Sequence, residues 1–144
     1  MVQQALLAHV AIPESHIHNI PTELPPEVAA SAYHPLVAAA LPFDLVLLGM
    51  GEDGHTASLF PGHTARSDDW AYAVYNSPKP PSERVTLSAK ALSAAQQLIF
   101  IVTGDSKREA IQQWRAGQSL PVASIRSKNG IDIYLDKAAC PDGF

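Results

Sequence analysis

The stretch "FDLVLLGMGEDGHTASLFPGH", Phe43 to His63, decides how this chain is read. Its opening, "FDLVLLGM" (43–50), is apolar and branched apart from Asp44, and it closes on glycine. A short run of this kind predicts a buried strand, of the sort found in parallel sheets. Past the strand the composition changes at once: Gly49, Gly51 and Gly54 surround Glu52 and Asp53, and His55 follows. Glycines let the main chain turn sharply and approach a ligand closely. In open α/β sheets ligands lie beyond the carboxyl ends of the strands, so this loop is the first place to look for a site. The residues after Gly54, "HTASLF", are expected to open a short helix. Its free N–H groups, with those near Gly51–Gly54, would favour an anion or a developing oxyanion.

Upstream, "MVQQALLAHV" (1–10) spaces Val2, Leu6, Leu7 and Val10 for a helix that begins without a cap, as if the chain started inside a longer element. A Pro-rich loop follows, and then a helix from about Pro26, with a kink or early end expected at Pro35. Downstream, 70–77 predicts a strand and 79–88 a Pro-rich turn with a short extended piece. A helix capped by Ser88 is expected over 88–97, and the clearest strand over 98–104. A helix over 105–118, capped by Asp105 or Ser106, stops at Gly117, and 131–136 alternates as a last strand. Strands alternating with helices predict one α/β domain over residues 1–144, a mostly parallel sheet flanked by helices.

With 144 residues, 47% of them hydrophobic, the chain can bury one core. A net charge of -4 argues against broad electrostatic binding to nucleic acid. Cys140 stands alone, which excludes a disulfide framework within one chain and fits a reducing compartment. The first residues lack a basic, then long apolar, leader pattern. No apolar run approaches the roughly 20 residues needed to cross a bilayer. A soluble, cytoplasmic protein is expected.

Asp53 and His55 form the candidate catalytic pair. A carboxylate beside an imidazole fixes its tautomer and raises its basicity, and histidine titrates near the working pH of a general base. By chemistry alone the alternative is a histidine that is only a polar loop residue, because a two-residue spacing does not establish contact. The run Gly49 to Gly54 also fits a dinucleotide pattern, but no acid stands at the end of the next strand, only Asn76, so no cofactor is expected. Lys79 and Arg84 suit a phosphoester, lysine as a point charge and arginine as a fork; the bland alternative is a solvated loop with incidental charges. His16 and His18, with His9 nearby, are read as surface residues rather than metal ligands, and no metal is expected. Trp70 and Trp114 are read as packing residues.

The string 43–63, with "NSPKPPSERVTLS" and "LIFIVTGDSKREAI", closely resembles the bacterial-type 6-phosphogluconolactonases, whose superfamily includes glucosamine-6-phosphate deaminase. The resemblance extends upstream through "LLAHVAIPESHIHNIPTELPPEVAASAY" and so covers nearly the whole chain. It implies a Rossmann-like fold and hydrolysis of a phosphorylated sugar lactone. His55 would be the general base, Asp53, Gly51 and Gly54 would shape the site, and Lys79 and Arg84 would hold the phosphate. The deaminase pattern resembles "GHIAFNEP", with a glutamate five residues after the histidine; Phe60 stands there in this chain and cannot relay a proton. The family normally carries a Gly/Ser-rich phosphate loop and an Asp-Glu-Arg segment before the motif, and neither occurs here. The resemblance therefore implies an N-terminally truncated version of the fold, with an exposed side that could self-associate. Two alternatives stay open: a deaminase or sugar-phosphate isomerase, and a sugar-phosphate binder without catalysis.

Overall fold

The computed structural model describes residues 2–64 and 68–142. Its centre is a three-stranded parallel sheet in the order β1 (Phe43–Leu48), β4 (Ala95–Val102), β5 (Asp132–Leu135). Phe43 pairs with Ala95 and Leu48 with Phe100 across β1 and β4, and Ile99 pairs with Asp132 across β4 and β5. Side chains alternate across a strand, so β4 sends Leu98, Phe100 and Val102 to one side, where all three are buried. Val46, Val122, Ile125 and Ile111 pack there with them, and the Trp114 ring meets Phe100 edge-on at 5.1 Å.

The opposite face of the sheet is bare among the described residues. Leu45, Leu47, Ile101 and Tyr134 lie on it, with Leu47 58% exposed. Parallel sheets are ordinarily covered on both faces, so an apolar face left this open is unusual.

The expected strand at 70–77 is shorter, β2 (Ala71–Val74), and leaves the parallel sheet altogether. It pairs antiparallel with β3 (Arg84–Leu87), Ala71 opposite Leu87, as a separate two-stranded sheet. Helix α2 (Pro26–Ala40) continues past Pro35 rather than ending there. An interior proline costs about 3 kcal/mol; tertiary packing offsets it here. Ala29, Ala30 and Val37 are buried, His34 Nδ1 accepts from the Trp70 N–H at 3.2 Å, and Tyr33 donates to the His18 carbonyl at 2.8 Å.

Two other expectations shift. The N-terminal helix shrinks to α1 (Val2–Ala5) and a 3-10 turn at Leu7–His9, neither with a buried residue. A helix this short is marginal without a surface to pack on. The helix expected over 88–97 is α3 (Ala89–Ser93), with Ser88 Oγ accepting from the Ala91 N–H as its cap. Residues 95–97 instead extend β4, because pairing with β1 outweighs local helix preference.

After β4 the chain makes a 3-10 turn at Asp105–Lys107 and enters α4 (Arg108–Arg115). Neither Asp105 nor Ser106 caps it. The Gly104 N–H is taken by the Asp136 carboxylate, 3.1 Å to either oxygen, and Asp136 also accepts from Ala139 N–H at 2.7 Å. Gly117, at φ 77, ends α4 as expected. Among the described residues no helix is long and apolar enough to cross a membrane.

Candidate active site

The glycine-rich loop leaves β1 at its carboxyl end and folds back on itself. Gly51 N–H donates to the His55 carbonyl at 2.8 Å, and Gly54 N–H to the Gly51 carbonyl at 3.0 Å. Thr56 Oγ1 donates to the Gly49 carbonyl at 2.8 Å, tying the far side of the loop to the strand end. Gly54 sits at φ 74, and its carbonyl accepts from Val122 N–H at 3.0 Å. The N–H groups of Gly51 and Gly54 are thus spent inside the turn, which removes them from the oxyanion role expected of them. Nor does a helix open at His55. Thr56 and Leu59 bridge across a tight turn with Ala57 at φ 50.

This closure brings Asp53 and His55 together. Asp53 Oδ1 lies 2.5 Å from His55 Nδ1 and also accepts the His55 backbone N–H at 3.2 Å. Burial pushes the Asp53 carboxyl up, but the hydrogen bonds from the His55 ring and backbone outweigh it and hold the acid below its usual value. An ionised Asp53 favours the neutral tautomer of His55 that carries its proton on Nδ1 and leaves Nε2 to accept. The His55 side chain is 20% exposed, within reach of water but not freely solvated.

Two neighbours hold the imidazole. A Cβ on Gly51 would overlap the His55 ring atoms Cε1 and Nδ1 and stand 2.8 Å from Asp53 Oδ1, so only glycine leaves room for the pair. The buried Phe60 ring lies 4.7 Å from His55, tilted by 39°. Phe60 also touches His63, at 5.7 Å. A cavity of about 550 Å³ opens beyond Phe60, lined by His63, Tyr75, Ser119 and Leu120 among others; His55 and Asp53 are not part of its wall. Phe60 therefore divides the dyad from the roomier hollow.

The expected cations behave differently from one another. Lys79 reaches Glu52 and pairs with its Oε1. Lys107, which the motif reading did not single out, reaches the same carboxylate from the turn after β4, Nζ to Oε2 at 3.2 Å. Parallel pairing sets the ends of β1 and β4 side by side, and that register is the signal that places "TGDSK" next to the glycine loop. Glu52 is held down to about 2 by its bond to Lys79, its own backbone N–H and Lys107, while Lys79 is raised, chiefly by Glu52. Arg84 is committed to its own loop. Its Nη2 donates to the carbonyls of Pro80 at 2.8 Å and Lys79 at 3.1 Å, and its Nε to Pro81 at 3.1 Å. The guanidinium also sits over the Phe60 ring, 5.5 Å from its centroid. Among the described residues no group of three His, Cys, Asp or Glu is placed to hold a metal.

Residues 1–134 match the model of the family described as glucosamine-6-phosphate isomerases/6-phosphogluconolactonase. The chain belongs to this family. It is 37% identical to the 6-phosphogluconolactonase of Haemophilus influenzae over 96% of its own length, and 39% identical to that of Rattus norvegicus over 93%. Among solved structures, the 6-phosphogluconolactonase of Thermotoga maritima superposes with a TM-score of 0.87 at 30% identity, covering 94% of the chain. The chain spans 63% of the Haemophilus relative, 56% of the rat relative and 63% of the Thermotoga structure. In this chain Asp53, His55, Lys79 and Lys107 gather around one loop.

Proposed function

We propose that this chain hydrolyses 6-phospho-D-glucono-1,5-lactone to 6-phospho-D-gluconate, the reaction for which its lactonase relatives are named. The observation that carries this reading is the 2.5 Å contact between His55 Nδ1 and Asp53 Oδ1. It leaves Nε2 as a base beside an ionised carboxylate, which suits activation of water against an ester carbonyl. Nε2 takes a proton from water as the hydroxide adds to C1. The protonated imidazole, stabilised by Asp53, then gives that proton to the ring oxygen as the C1–O bond breaks. Proton count is conserved, and neither cofactor nor metal enters the scheme.

Lys79 and Lys107 would receive the phosphate and so orient the lactone ring over His55. Arg84 keeps a lesser part than the motif implied: a strut that holds the Pro80–Pro81 turn and the Phe60 ring. Phe60 favours lactonase over deaminase, because a buried apolar ring cannot shuttle the proton that ring opening of an amino sugar needs.

The lactone also hydrolyses unaided, so the test is a rate above that background, followed by proton release at neutral pH. Saturable turnover of the phosphorylated lactone, with much weaker turnover of the unphosphorylated one, is the expected result. Phosphogluconate binding without any rate above background would replace the enzyme with a binding protein, and ammonia release from glucosamine 6-phosphate would replace the lactonase with a deaminase.

A further inference from the structure

Lys79 and Lys107 come from different parts of the chain, the Pro-flanked turn before β3 and the turn after β4. They converge on one carboxylate: Lys79 Nζ on Oε1 of Glu52, and Lys107 Nζ on Oε2 at 3.2 Å. The Glu52 side chain is 48% exposed, and the two cations, with its own backbone N–H, hold it there. The neighbouring Asp53 adds its own negative charge near Lys79.

We propose that Glu52 is a specificity-determining residue: its carboxylate occupies a two-lysine anion subsite in the free chain and restricts that subsite to doubly charged phosphate groups. This rests on the reading in which Lys79 and Lys107 take the substrate phosphate. A carboxylate ligand offers the lysines the same single charge as Glu52. It must also compete with a group tethered beside them, whose effective concentration is on the order of millimolar or more. A phosphate monoester carries a charge of about −1.5 to −2 at neutral pH and three strong acceptor oxygens. It satisfies both ammonium groups better than the resident carboxylate does, so Glu52 yields to phosphate and not to a monoanion. No covalent bond changes; one ion pair is exchanged for another.

Inorganic phosphate and acetate serve as probes, titrated by calorimetry into the full chain and its Glu52→Gln variant, with Lys79→Ala and Lys107→Ala alongside. Glu52→Gln keeps size and removes charge at an exposed position, so folding is preserved. Phosphate should bind the Gln variant about tenfold more tightly than the wild type, the effect of removing one charge-assisted competitor. Acetate should bind the variant measurably and the wild type not at all, and either Lys→Ala change should abolish the gain. Unchanged or weaker phosphate binding in the Gln variant overturns the proposal, since Glu52 would then order the lysines rather than block them. Phosphate binding to neither protein also overturns it, and His55-dependent lactone turnover in the same samples would show the catalytic reading surviving without it. The predicted binding pattern with no lactone turnover leaves the subsite standing and removes the catalytic reading instead.

Discussion

The position a Cβ would take on Gly51 is already filled by the imidazole of His55. The Gly51 backbone is not in the left-handed region, so the glycine is required for space and not for φ. Gly51→Ala should therefore fold while expelling the ring from Asp53. Overpacking at such a site costs about 1–3 kcal/mol. Loss of the oriented base should lower kcat/KM by about 10²-fold or more. Kinetics and urea denaturation on the same samples check this; full activity would mean the ring does not act from this slot.

Phe60 holds the other side of the imidazole. Phe60→Leu keeps an apolar core but removes the ring contact, worth about 0.5–1.5 kcal/mol beyond burial. The expected outcome is a fall in kcat with little change in KM, as His55 loses its fixed orientation. A purely structural Phe60 would lower stability and leave kcat of the folded protein where it was.

Acid titration separates Glu52 from the other carboxylates. Its value in the fold, about 2, lies below the ordinary 4.5, so its ion pairs add stability above pH 4.5 that is lost as pH falls towards 2. The stability difference between wild type and Glu52→Gln should be constant above pH 4.5 and close over that window. Asp136 shifts in the same direction through the N–H groups of Ala139 and Gly104, so the turn carrying Lys107 should loosen below the ordinary aspartate value of 3.8. Denaturation midpoints measured from pH 6 to pH 2 show whether the difference closes.

The two faces of the sheet should respond in opposite ways to substitution. Phe100 and Leu98 are buried on one side, and Phe100→Ala should cost about 3–5 kcal/mol. Leu47 lies on the bare side, so Leu47→Lys should change stability by less than about 0.5 kcal/mol and raise solubility. Urea midpoints and light scattering test both.

The sequence announced what local patterning controls. The apolar runs of β1 and β4, the Ser88 cap and the Gly117 stop all stand where expected. What it hid depends on partners far along the chain. Residues 95–97 look helical alone and become strand because β1 lies alongside them. The N-terminal apolar spacing suits a helix, yet Val2, Leu6 and Val10 find no surface to cover. The Asp53–His55 spacing left contact undecided; the hydrogen bonds that close the loop, with the space at Gly51 and the ring of Phe60, bring it about. Lys107 belongs to the site only through the parallel register of β1 and β4. Arg84 matched the motif, but the course of its own loop supplies three carbonyls to its guanidinium.

What most needs testing is whether His55, oriented by Asp53, supplies the base for lactone hydrolysis. The most direct measurement is the enzyme-dependent rate of 6-phosphogluconolactone hydrolysis for wild type and His55→Ala, each corrected for the spontaneous reaction. A loss of about 10²- to 10⁴-fold in kcat is expected for the alanine variant, with its unfolding midpoint nearly unchanged. A His55→Ala protein that turns over the lactone at the wild-type rate would contradict it.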